Sequence, residues 1–226
     1  IYTLERKKEL LEVLSGTGII LLEDDAYSDL YFNEDEKYLT KSMKSFGVKG
    51  VEIIYTGSFS KILGPGFRLG YMLSSPEIFE KAETIKQALD ACTSNFMQIL
   101  GNEFLAQHKL ESYLKFLRSE YFERKNLLQQ SLEKYMPKEV TWNEPKGGFY
   151  IWLKLPPHIK STDIFKESVS NGVVFVTGRT FDPASKKDDR LRLSFSNMPK
   201  ESIEKGALIL AKAVKEVINN SKVKSS

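Results

Sequence analysis

The stretch Thr56-Gly-Ser-Phe-Ser-Lys-Ile-Leu-Gly-Pro-Gly-Phe-Arg-Leu-Gly70 constrains the fold more than any other part of this chain. It grows out of Val51-Glu-Ile-Ile-Tyr-Thr56, a short apolar run that reads as a buried strand. Gly64-Pro65-Gly66 interrupts regular structure and forces a turn, which brings Arg68 back towards Ser58, Ser60 and Lys61. Hydroxyls, glycine backbone amides and a guanidinium are the usual ligands of a phosphate. The segment therefore reads as a strand end that holds a phosphate beside an amine. Taken alone, a strand that leads into a polar surface turn accounts for the same residues equally well.

A partner lies upstream. Gly18-Ile-Ile-Leu-Leu-Glu-Asp-Asp-Ala-Tyr27 is an apolar run that ends abruptly in Glu23, Asp24 and Asp25, with Tyr27 three residues past Asp24. Strand ends are where α/β proteins place their chemistry. A D-x-x-Y after a buried strand, followed by S-x-S-K with an arginine seven residues on, resembles the fold type I, pyridoxal-phosphate-dependent class I/II aminotransferases. Three later segments resemble the same family in the same order. They are Gly147-Gly-Phe-Tyr-Ile-Trp152, Gly172-Val-Val-Phe-Val-Thr-Gly178 with Phe181, and Leu191-Arg-Leu-Ser-Phe-Ser196. Thr177 stands where the family commonly has proline. The spellings Glu-Asp-Asp-Ala-Tyr and Gly-Pro-Gly-Phe-Arg are similar to the branch of 2-aminoadipate, kynurenine and aromatic amino acid transaminases.

The resemblance implies an α/β fold. Residues 1–111 correspond to the C-terminal portion of the cofactor-binding large domain, a mostly parallel sheet with helices. Residues 112–226 correspond to a long connecting helix and a small α+β domain. It also implies roles. Lys61 forms the internal Schiff base with pyridoxal phosphate and, once released, moves a proton at the substrate Cα. Asp24 pairs with the pyridine nitrogen and Tyr27 donates to O3′. Ser58, Ser60 and Arg68 hold the phosphate, and Arg192 binds the substrate α-carboxylate. Asp25 rivals Asp24, but adjacent strand residues point to opposite faces and the family spacing to Tyr27 selects Asp24. Glu23 and Asp25 then read as solvated or structural carboxylates. Arg190 and Arg192 share a strand face with Ser194 and Ser196, which leaves Arg190 at the rim or in a structural pair.

The implied reaction is ping-pong transamination between an L-amino acid and a 2-oxo acid. The resemblance covers the whole chain but only about the second half of a family member. Expected to lie elsewhere are the first strands, a glycine-rich phosphate segment, the aromatic residue that stacks on the ring, and an N-P-x-G segment that Ile1-Tyr-Thr-Leu-Glu-Arg6 normally follows. The chain alone is accordingly expected to be inactive, to need an N-terminal half, and to work as a cytoplasmic homodimer in full-length form. Two competitors remain: the aminotransferase-like effector domain of a helix-turn-helix regulator, and a lyase that uses the same cofactor.

Composition narrows the partners. The 33 basic and 30 acidic side chains leave a net charge of +3, too balanced for a nucleic-acid or acidic-membrane surface. No apolar run approaches the roughly 18 residues that span a bilayer, and no signal peptide is expected. Cys92, the one cysteine, is expected in a helical stretch as a small core residue. His108 and His158 lack partners at ligand spacing, so no metal is expected. The hydrophobic pattern predicts helices over 3–14, 76–91, 96–107, 112–135 and 199–218, with a short one around 39–45 and a polar tail over 219–226. Strands are predicted over 19–23, 51–56 and 69–73. From Val140 the predicted order is strand, strand, helix, strand, strand, helix.

Overall fold

The structure, a computed structural model, describes residues 2–184 and 186–225. The chain divides into two compact units, residues 1–118 and 119–226. This division falls later than 111, inside the helix α4 (Leu110–Tyr135). Arg118 ends the first unit with its Nε donating to the Asp29 carbonyl at 2.8 Å and Nη1 to Glu111 Oε1 at 2.9 Å.

In the first unit, α1 (Leu4–Leu14) starts at Thr3, whose hydroxyl accepts the Arg6 amide at 3.2 Å and so satisfies one of the helix's open N–H groups. Strands β1 (Leu21–Asp25), β2 (Ile53–Ser58) and β3 (Gly70–Leu73) form a sheet in the order β1-β2-β3. β1 and β2 run parallel, whereas β3 returns antiparallel after the glycine-proline turn. Leu11, Met43 and Ile53 form a buried cluster, flanked by Leu10, Leu21, Phe46, Val48 and Val51. The short helix predicted around 39–45 resolves into two 3₁₀ turns, Glu34–Thr40 and Lys44–Phe46. Glu23 prevents a continuous helix there, because its carboxylate accepts the amides of Met43 at 2.7 Å and Lys44 at 3.1 Å. Lys7 is buried and donates to the Leu39 and Lys41 carbonyls at 2.8 and 2.7 Å. Burial lowers its pKa, against the opposing pull of Glu23 and Asp25.

Two helices follow β3, α2 (Pro76–Asp90) and α3 (Asn95–Ala106). Cys92 corrects the expectation of a core position: it is exposed, in the break between these helices. Ala91 ends α2 with positive φ, at φ 56° and ψ −55°, which carries the chain out of the helix before the cysteine. The unit exposes several large apolar side chains, Leu22, Leu73, Phe79, Leu89, Phe96 and Ile99 among them. On α4 the buried stripe runs through Leu114, Leu117, Leu128 and Leu132. Phe116 lies off that stripe and is 59% exposed, because 114 and 117 already define the inward face at helical spacing.

The second unit holds β4 (Thr141–Trp142), β5 (Tyr150–Lys154), α5 (Ser161–Ser170), β6 (Val176–Thr177), β7 (Arg190–Ser194) and α6 (Lys200–Ser225). This is the predicted order. The sheet runs β4-β5-β7-β6, and every neighbouring pair is antiparallel. Strict alternation puts Ile151, Leu153, Leu191 and Leu193 on its buried face, as two-residue periodicity requires. Each such side chain contributes about 1.5–3 kcal/mol by leaving water. The predicted polar tail is instead the end of α6, which continues to Ser225. No proline or glycine interrupts residues 219–225.

Gly178 follows β6 where the backbone passes β7. A Cβ there would come within 2.7 Å of the Arg190 carbonyl oxygen, a backbone atom that cannot step aside without parting the strands. Gly178→Ala is therefore expected to cost about 1–3 kcal/mol. Urea unfolding should show a lower midpoint, and an unchanged midpoint would contradict this packing.

Candidate active site

Register sorts the charged end of β1. Asp24 pairs with Thr56 and Asp25 with Gly57, and directly opposed residues share a face. Asp24, Thr56 and Ser58 consequently lie on one side, with Glu23, Asp25 and Tyr55 on the other. The second group is committed to structure. Besides the two amides on Glu23, Asp25 accepts the Ser28 amide at 3.0 Å and the Tyr55 hydroxyl at 2.8 Å. Asp24 is exposed, and its contact is a long one, 3.4 Å from the Thr56 hydroxyl. Among the three carboxylates, Asp24 has the capacity left to meet a cationic partner.

Beyond β2 the chain enters a 3₁₀ turn, Phe59–Lys61. Ser58 caps it by accepting the Ser60 amide at 3.1 Å. Gly64 takes φ 114° and Arg68 takes φ 48°, a reversal that lets the Phe59 amide reach the Leu69 carbonyl at 2.9 Å. The Arg68 guanidinium thereby returns to the serines, with Nη1 donating to Ser60 Oγ at 3.3 Å and to the Pro65 carbonyl at 3.4 Å. Lys61 Nζ stands 5.7 Å from the centroid of the Tyr27 ring. No ion pair among the described residues engages Lys61. Gly57 admits the ring of Tyr71 across β2: a Cβ would approach its Cζ to 2.3 Å.

The structure thus gathers Asp24, Tyr27, Ser58, Ser60, Lys61 and Arg68 at the C-terminal ends of β1 and β2 and the turn that follows. A primary amine faces a phenol, while two hydroxyls and a guanidinium supply donors for an anion. Thr56 shares their sheet face and was not singled out in the sequence, although its position two residues before Ser58 carries that information. Arg192 belongs to the second unit. Its guanidinium carbon lies 4.0 Å from the Tyr150 ring centroid and 4.7 Å from that of Phe181, and no carboxylate among the described residues pairs with it. Aromatic faces hold the plane and leave its N–H fork for a ligand. Trp152 packs on Phe181 with centroids 4.9 Å apart. Among the described residues, no cluster of three or more His, Cys, Asp or Glu side chains is placed to hold a metal ion. No helix among them is long and apolar enough to cross a membrane.

A family model described as aminotransferase class I and II matches residues 1–210. This chain belongs to the class I and II aminotransferases. Among solved structures, it is similar to the multiple substrate aminotransferase from Thermococcus profundus at TM-score 0.90 and 32% identity, over 96% of this chain and 53% of that one. Among curated relatives, the 2-aminoadipate transaminase of Thermus thermophilus is 34% identical over 95% of this chain and 54% of its own length. A Bacillus subtilis protein described as the uncharacterized HTH-type transcriptional regulator YdfD is 29% identical over 94% of this chain and 43% of its own length. This aminotransferase chain spans about half the length of the curated relatives it matches.

Proposed function

We propose that this chain forms the lysine-bearing half of a pyridoxal-phosphate-dependent transaminase, which exchanges nitrogen between an L-amino acid and a 2-oxo acid. The observation that carries this reading is the meeting of Lys61 with Tyr27 at the strand ends, flanked by Asp24, Ser58, Ser60 and Arg68. These side chains fit the group: an amine for its aldehyde, an anion for its ring nitrogen, a phenol for its phenolic oxygen, and donors for its phosphate. When bound, pyridoxal phosphate supplies the carbonyl for amine exchange and a ring that takes up electrons from the substrate Cα.

The chain's residues do the rest. Lys61 holds the cofactor covalently through Nζ and, when displaced by the substrate amine, takes and returns the proton at Cα. Asp24 keeps a proton on the pyridine nitrogen by placing an anion beside it. The Tyr27 hydroxyl donates to the phenolic oxygen and favours its ionised form. Ser58, Ser60 and Arg68 bind the phosphate, for which a planar guanidinium can bond two oxygens at once. Arg192 takes the substrate α-carboxylate by the same geometry. Likeness to the 2-aminoadipate transaminase and the multiple substrate enzyme supports amino acids of that range as substrates. The full-length protein acts in this reading as a cytoplasmic homodimer. Its N-terminal half covers the apolar side chains exposed on the first unit, and the single-cysteine composition suits a reducing compartment.

Borohydride reduction of the full-length protein loaded with pyridoxal phosphate should fix the cofactor on the peptide that contains Lys61. Label on any other lysine would overturn the assignment. The regulator-like relative favours a second reading, an effector domain that binds the cofactor without sustained turnover. Continuous conversion of amino donor into 2-oxo acid separates the two.

A further inference from the structure

Asp25 and Tyr55 lie on the sheet face opposite Asp24 and Ser58, and the proposed chemistry gives neither a part. Their contacts nevertheless reach round the strand end. Asp25 Oδ1 accepts the Ser28 amide at 3.0 Å, which closes a turn over Ala26 and Tyr27. Asp25 Oδ2 accepts the Tyr55 hydroxyl at 2.8 Å, which ties the same carboxylate to β2. On its other side Tyr27 offers its carbonyl to the Leu30 amide at 3.0 Å. The backbone of Tyr27, at φ −133° and ψ −5°, is therefore set by hydrogen bonds that converge on Asp25 and the short turn that follows.

A cavity of about 300 Å³ lined by Asp25, Ser28, Tyr55, Phe59 and Tyr71 adjoins the turn. Tyr55 is itself well placed to serve as an anchor. Its ring lies 6.2 Å from that of Tyr71, which is seated over Gly57. Burial, reinforced by the bond to the Asp25 carboxylate, pushes the Tyr55 phenol far up, so it remains a neutral donor throughout any working pH range.

We propose that Asp25, anchored by Tyr55, is a positioning residue that aims the Tyr27 hydroxyl at the cofactor's phenolic oxygen. The inference rests on the transaminase reading and adds to it the device that fixes the phenol. Asp25 acts through the turn, not on the reacting atoms.

The test is a pH titration of the visible absorbance of bound pyridoxal phosphate in the full-length protein. Tyr27→Phe removes the donor and should raise the midpoint by about one pH unit. Asp25→Ala and Asp25→Asn lose the same charge, but the Asn amide oxygen can still accept the Ser28 N–H. The Ala variant should therefore titrate at least about half a unit, roughly threefold in the equilibrium, above the Asn variant. In the Tyr27→Phe background that difference should vanish, since an effect carried by the hydroxyl needs the hydroxyl. Tyr55→Phe, which deletes one oxygen and is expected to fold, should raise the midpoint in the presence of Tyr27 and not in its absence.

An Ala–Asn difference that persists undiminished without the Tyr27 hydroxyl overturns the proposal. So does its absence when Tyr27 is present. If Asp25→Ala does not fold, the Tyr55→Phe pair decides by the same rule: equal shifts in both backgrounds, or none in either, refute it. A wild-type midpoint in Tyr27→Phe alone refutes the assignment of Tyr27 itself and takes this proposal with it, so the two failures are told apart.

Discussion

Lys61→Ala in the full-length protein is expected to stop transamination, with a fall in kcat of at least about 10⁴-fold. The size follows from the two roles that one amine would hold. Covalent attachment presents the cofactor in one orientation, and the freed amine then relays the proton at Cα, a step in which a positioned base alone is worth about 10²–10⁴-fold. The turn geometry says what should survive. Ser58, Ser60 and Arg68 keep their own contacts without the Lys61 amine, since the Ser60 amide bonds Ser58 and the guanidinium bonds Ser60. The variant should accordingly still retain pyridoxal phosphate without a covalent bond, seen as cofactor that copurifies yet escapes borohydride fixation. Turnover at the wild-type rate would remove Lys61 from the mechanism.

The parts of this site that were legible in the sequence are those set by local rules. The two strand ends follow from short apolar runs that stop at polar residues, and Gly64-Pro65-Gly66 announces the reversal that returns Arg68 to Ser60. Register is less local. That Asp24 shares a face with Thr56 and Ser58 depends on the parallel pairing of β1 with β2, which strand alternation alone leaves open by one residue. The structural role of Asp25 was legible only as an alternative, because its partner Tyr55 lies thirty positions away and only the pairing of the strands brings them together. Where the sequence reading failed, a nearby backbone event decided the outcome. Ala91 turns the chain before Cys92, and α6 runs on through 219–225 because nothing in that polar stretch breaks a helix. Hydrophobicity alone does not place Phe116, since an apolar residue one position off a helical stripe faces solvent as readily as a polar one.

Asp24→Asn is expected to lower kcat/KM by at least about 100-fold, equivalent to roughly 2.7 kcal/mol of transition-state stabilisation. An amide of the same shape keeps a hydrogen-bonding oxygen but no longer opposes a positive charge, so in the proposed site the pyridine nitrogen would lose its proton and the ring its capacity to take up electrons from Cα. The comparison that gives this result meaning is Asp25→Asn, in the same protein and under the same assay. Asp25 already spends its oxygens on the Ser28 amide and the Tyr55 hydroxyl, and the Asn oxygen can still serve the first. Its kcat/KM should fall by less than about tenfold, a little over 1 kcal/mol. The two residues differ in the sequence by one position and in the sheet by one face. The reverse order of effects would place the cofactor on the other side of β1, where Glu23 and Tyr55 are already engaged, and would require those hydrogen bonds to break on binding.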